Sequence, residues 1–90
     1  MGNFKITVRR TKNGEFEVTV GEDGGSRTVH RVVLDEGFAK KVGLHSEETV
    51  RKSFEFLLSK ESKESILSSF SIPDTINNYF PDFEGYLSRN

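Results

Sequence analysis

The chain has no cysteine and no tryptophan, and only two prolines and two histidines. Without cysteine there can be no disulfide, no thiolate metal ligand and no cysteine nucleophile. The histidines, His30 and His45, are unclustered and fall short of the three or four ligands that a zinc site needs. No apolar run approaches the roughly 18–20 residues that cross a bilayer. The opening MGNFKITVRR alternates from the outset and lacks the apolar stretch of a signal peptide, so a soluble, cytoplasmic protein is expected. Charge of either sign is also not in excess. Thirteen basic and 14 acidic residues give a net charge of −1, so no global field draws the chain to nucleic acid or membrane.

The signatures of catalysis are missing as well. No serine sits in a Gly-x-Ser-x-Gly elbow, and nothing marks one of the many serines as activated. The loop GEDGG has glycines but no following Lys-Ser/Thr and helix to hold phosphate, and its Glu22 and Asp23 would repel one. Glu47 and Glu48 diverge around a helix rather than facing each other across a cleft. Neither a cofactor nor a metal is expected, and an enzyme is the least favoured class.

Apolar residues are sparse at 33%, but eight phenylalanines and scattered Val, Ile and Leu suffice for one small core. Phe4, Ile6 and Val8 alternate with Lys5, Thr7 and Arg9, the period of a half-buried strand over 4–11. Asn13-Gly14 is the pair best suited to a type I′ turn. Phe16, Val18 and Val20 then alternate over 15–21, completing a hairpin. After the glycine-rich turn, RTVHRVVL predicts a third strand over 27–34. Valines fall on both of its faces, which suits a central or doubly covered strand.

From Asp35 the period becomes helical. Asp35 can cap a short helix over 36–42 that Gly43 ends. Ser46, followed by Glu47 and Glu48, opens the strongest helix, 47–60, with Val50, Phe54, Leu57 and Leu58 as its apolar stripe and Phe56 off it. Two more helices are expected over 63–70 and 72–80, the second with Ser71 as cap, Pro73 in its first turn and Pro81 as its stop.

The expected fold is therefore α+β: a three-stranded antiparallel β-meander followed by three or four short helices packed on one sheet face, all one domain over 1–90. The expected core comprises Phe4, Ile6, Val8, Phe16, Val18, Val20, Val32, Leu34, Val50, Phe54, Leu57, Leu58, Ile66, Leu67, Ile76 and Phe80.

Two groups of residues are candidates for binding. Phe56 and the segment beyond Pro81, with Phe83, Tyr86 and Leu87, fit no predicted stripe and would serve a protein partner if exposed. Lys5, Arg9 and Arg31 share a strand face and could contact phosphates. Glu15 and Glu17 on the same face offer them cross-strand partners instead, which is the favoured reading. A non-enzymatic module with a protein partner is the function these residues suggest.

Residues 28–58, TVHRVVLDEGFAKKVGLHSEETVRKSFEFLL, resemble a ribbon-helix-helix module: an alternating strand, an acidic residue opening a first helix, a glycine turn and a second helix. That resemblance implies a DNA-binding dimer, in transcriptional or antitoxin regulation, whose strand enters the major groove with Val29, Arg31 and Val33 toward the bases. Residues 28–87 are also similar to small hypothetical prokaryotic proteins, in which a stretch like SFEFLLSKESKESILSSF precedes one like IPDTINNYFPDFEGYL. This second likeness implies a domain without an assigned mechanism.

Overall fold

A computed structural model describes residues 4–22 and 24–88; Asp23 and the few residues at either end lie outside the described residues. Three strands come first, β1 (Phe4–Lys12), β2 (Glu15–Glu22) and β3 (Arg27–Leu34), paired antiparallel in sequence order. The meander and its bounds follow from the alternating pattern. The first turn differs from expectation: Gly14 alone takes positive φ, at 74°, and the register shifts between Arg10 and Lys12. A bulge thus replaces the type I′ geometry, which would need Asn13 at positive φ too. The Gly14 carbonyl accepts from the Leu34 amide at 2.7 Å, so the turn also extends the β2–β3 pairing.

Helix α1 (Glu36–Val42) begins as its sequence dictates, with the Asp35 carboxylate accepting from the Gly37 amide at 2.9 Å. It ends on Gly43 at φ 77°, the left-handed position where a side chain is strained. A Cβ there would meet nothing within 4 Å, so the cost of Gly43→Ala is purely conformational. It is expected to be about 1 kcal/mol, measured as a lower urea midpoint at unchanged slope.

Helix α2 (Ser46–Lys60) starts one residue earlier than expected: His45 takes the cap position and Ser46 is helical. The Ser46 hydroxyl instead donates to the Glu36 carboxylate and ties α2 to α1.

The largest departure follows α2. Residues 63–70 were expected to be a helix, but only one 3-10 turn forms, Lys63–Ser65, and the chain then extends as β4 (Ser69–Ile72). In β4, Phe70 and Ile72 are buried while Ser69 is exposed and Ser71 partly so, the period of a strand. Pro73 disfavours helical backbone at Ile72 and holds it extended. β4 pairs parallel to β3, giving a four-stranded mixed sheet of order β1-β2-β3-β4. Parallel pairing needs a long crossover, which α1 and α2 provide. The expected helix over 72–80 shrinks to α3 (Asp74–Tyr79), and Ser71 does not cap it. Beyond Pro81 a further helix forms, α4 (Phe83–Ser88).

The helices cover one face of the sheet. Phe16, Val18, Val20, Val32 and Ile72 on that face meet Val50, Phe54 and Leu57 of α2, all at most 4% exposed. Two residues expected in the core lie at its margin, with Phe4 39% and Leu67 49% exposed. Phe4 begins an edge strand, and Leu67 sits in the connection before β4. The opposite face is bare, which leaves Val29 and Val33 about half exposed on an inner strand.

Both outer edges are blunted. The Arg51 guanidinium donates to the Ile6 carbonyl of β1 at 2.6 Å, and the Ser71 amide of β4 donates to the Thr75 hydroxyl at 3.2 Å. Such contacts compete with a neighbouring chain for edge groups.

Candidate functional site

The aromatic tail is core rather than surface. Phe56 is 2% exposed, and Phe83 and Leu87 are fully buried. Phe56 points to the side of α2 away from the sheet, where its ring lies 5.3 Å from Phe83, 5.8 Å from Phe80 and 5.0 Å from Tyr86. Phe83 also stacks on Phe38 of α1 at 5.9 Å. Packing α4 against α1 and α2 thus creates a second contact side on α2, and this removes Phe56, Phe83 and Leu87 from any docking surface. Tyr86, half-buried, packs against the same cluster.

Lys5, Arg9 and Arg31 do share the bare sheet face. Arg9 pairs with Glu17 across β1 and β2 at 2.8 Å, as cross-strand charge pairing predicts. Arg31 lies opposite Glu17 on its other side. Val29 and Val33 share this face too, but β3 is flanked by β2 and β4. It has no free edge at which a ribbon-helix-helix mate could pair.

His30 is buried on the helix side, its ring 5.3 Å from Phe54. Its Nδ1 lies 2.8 Å from the Leu67 carbonyl and its Nε2 lies 2.8 Å from the Thr28 hydroxyl. Because a carbonyl only accepts, Nδ1 donates to Leu67, while Nε2 shares a hydrogen bond with the Thr28 hydroxyl. The ring therefore anchors the Leu67 connection to β3. Among the described residues no group of three or more His, Asp or Glu side chains could hold a metal ion.

The site that does emerge is a groove of about 230 Å³ between the C-terminal end of α2, the segment before β4, and α3. Leu57, Ile66, Leu67, Phe70, Ile76, Tyr79 and Phe80 supply its apolar surface. Tyr79 is 68% exposed on its wall, and Leu67 is the other exposed apolar residue there. Glu61 is the single charged liner, with Ser65 and Thr75 as the only other polar ones. Its carboxylate has no hydrogen bond or ion pair among the described residues. Thr75 already holds the Ser71 amide at the β4 edge beside the groove, which disfavours adding an extended strand there.

The chain matches no family model, no curated protein and no solved structure.

Sequence reasoning missed the groove because it placed Leu67 in the core and ran one helix through 63–70 and another through 72–80, where the structure opens a concavity. The structure shortens the second of these helices to six residues, of which Ile76 alone is buried. One inward position leaves the neighbouring aromatic outside.

Proposed function

We propose that the protein is a non-enzymatic interaction module that holds a segment of a partner protein in the groove between α2 and α3. The observation that carries this reading is the coincidence of exposed Leu67 and Tyr79 with a concave apolar surface bearing one carboxylate, Glu61, unpaired among the described residues. Exposed apolar area concentrated in a concavity is the usual mark of recognition, whereas single scattered apolar residues are not.

The groove's form selects the partner's form. With the β4 edge held at Ser71, strand addition is disfavoured, and an amphipathic helix laid into the groove is the matching mode. Two apolar side chains one turn apart would enter beside Tyr79, and a Lys or Arg on that helix would meet Glu61.

Selection from a displayed library of helical peptides tests this. The enriched peptides are expected to carry an apolar pair at i, i+4 and a basic residue. Leu67→Asp and Glu61→Lys are each expected to weaken their binding about tenfold or more, since a central truncation or charge clash commonly costs over 1 kcal/mol. Amide shifts on titration should centre on residues 57, 67, 76 and 79. Peptides that bind both variants as well as the parent would overturn the reading.

A further inference from the structure

The bare sheet face carries a separate feature, independent of the groove. In register, Lys5, Gly21 and Arg27 form one row across β1, β2 and β3, and Arg9, Glu17 and Arg31 form another. Thr7, Thr19 and Val29 form the row between them. With strands ~4.8 Å apart and ~3.3 Å per residue, the four cations mark the corners of a rectangle of about 10 by 13 Å. Glu17 is the one carboxylate in these rows, and Arg9 holds it at 2.8 Å. Lys5, Arg27 and Arg31 have no carboxylate partner among the described residues. Between Lys5 and Arg27 there is only Gly21, so these two cations flank bare backbone.

We propose that this face binds the phosphate backbone of double-stranded nucleic acid without reading its sequence. Charge balance comes first: three cations without a carboxylate partner among the described residues, around an exposed patch, complement a polyanion. The threonine hydroxyls within the rectangle are donors of the kind that bind phosphate oxygens. The rest of the surface decides between ligands. No aromatic side chain stands on this face, so unstacked bases find no platform and a single strand gains little. Val29 and Val33, the neutral residues of the central strand, cannot hydrogen-bond to base edges. Charge without readout gives weak, salt-sensitive, sequence-independent binding.

Fluorescence anisotropy with a short labelled duplex of mixed sequence, and with one of its strands alone, tests the proposal on the full chain. With three phosphates engaged, duplex affinity is expected to fall about 40-fold between 50 and 200 mM salt. Arg27→Ala and Arg31→Ala, both on exposed positions, should each lower the logarithmic salt slope by about 1. Gly21→Glu provides a sharper test. Its new Cβ would meet only the Arg27 Cβ, at an ordinary 3.8 Å, and its carboxylate would lie between Lys5 and Arg27. Binding should then drop about tenfold or more with circular dichroism unchanged. Glu17→Gln should act in the opposite direction, freeing Arg9 and tightening the complex. The proposal is overturned by no binding up to about 100 µM protein in 50 mM salt, the weak end of non-specific affinity. Tighter binding of the single strand, a flat salt dependence, or the two arginine variants behaving like the parent would overturn it equally.

Discussion

Phe56→Ala is expected to destabilise the protein by about 3–5 kcal/mol, the range for removing a buried aromatic ring. The ring is 2% exposed and touches those of Phe80, Phe83 and Tyr86, so its loss opens a cavity where α2 and α4 meet. For a domain of this size, total stability is about 5–15 kcal/mol, and the melting temperature should fall on the order of 20 °C. Phe83→Ala, at the centre of the same cluster and fully buried, should behave alike. Tyr79→Ala is the contrast: at 68% exposed, it should change stability by about 0.5 kcal/mol or less while affecting the groove. Urea unfolding of the three variants separates two roles for the aromatic C-terminal third. If Phe56→Ala and Phe83→Ala left the midpoint unchanged, the tail would not be core.

These aromatics also mark the limit of what the sequence could convey. The meander was legible because alternation is local and each turn announces itself. Helix α1 was legible for the same reason, with Asp35 and Gly43 bracketing it. Phe56 was misjudged because a single stripe defines one buried side of a helix. Its actual partner, α4, lies some 27 positions further along and is itself too short to show a period. β4 was misjudged for a related reason. Ile66, Leu67 and Phe70 are spaced i, i+1, i+4 and imitate a helix, while the four residues of the strand are stabilised by pairing with β3. Such pairing between distant segments leaves no local trace. The groove inherits this difficulty, since its walls come from α2, the connection before β4, and α3. The cationic rectangle was partly legible: alternation puts Lys5 and Arg9 on one side of β1 and Arg27 and Arg31 on one side of β3, but only the register aligns Arg27 with Lys5 across Gly21 and Arg31 with Arg9 across Glu17.

Replacing Lys63 is expected to unfold the protein more readily than replacing any exposed lysine, and to change how its stability depends on pH. The Lys63 side chain is 2% exposed, and its ammonium donates to Glu22 at the end of β2 and to its neighbour Glu64, each at 2.5 Å. The ion triad fastens the connection before β4 to the β2–β3 hairpin, and so holds that connection beside the groove. Hydrogen bonding to Glu22, then to Glu64, raises the Lys63 pKa above its ordinary 10.5. Hydrogen bonding from Lys63, then from backbone, lowers the Glu64 pKa below its ordinary 4.5. A raised lysine stabilises the fold fully below its unfolded value and loses that contribution as pH climbs through the folded one. A lowered carboxyl contributes above its unfolded value and loses this as pH falls through the folded one. Stability should therefore hold level between about pH 5 and 10 and decline on both sides. In Lys63→Met the stem is kept and the charge removed, which leaves Glu22 and Glu64 without their cation. Its urea midpoint at neutral pH is expected to fall well below that of Lys60→Ala, because a buried partner of two carboxylates is lost rather than a solvated pair. Both limbs of its pH profile should also flatten. A variant as stable as the parent, with the acid and alkaline limbs intact, would show that Lys63 does not fasten the connection.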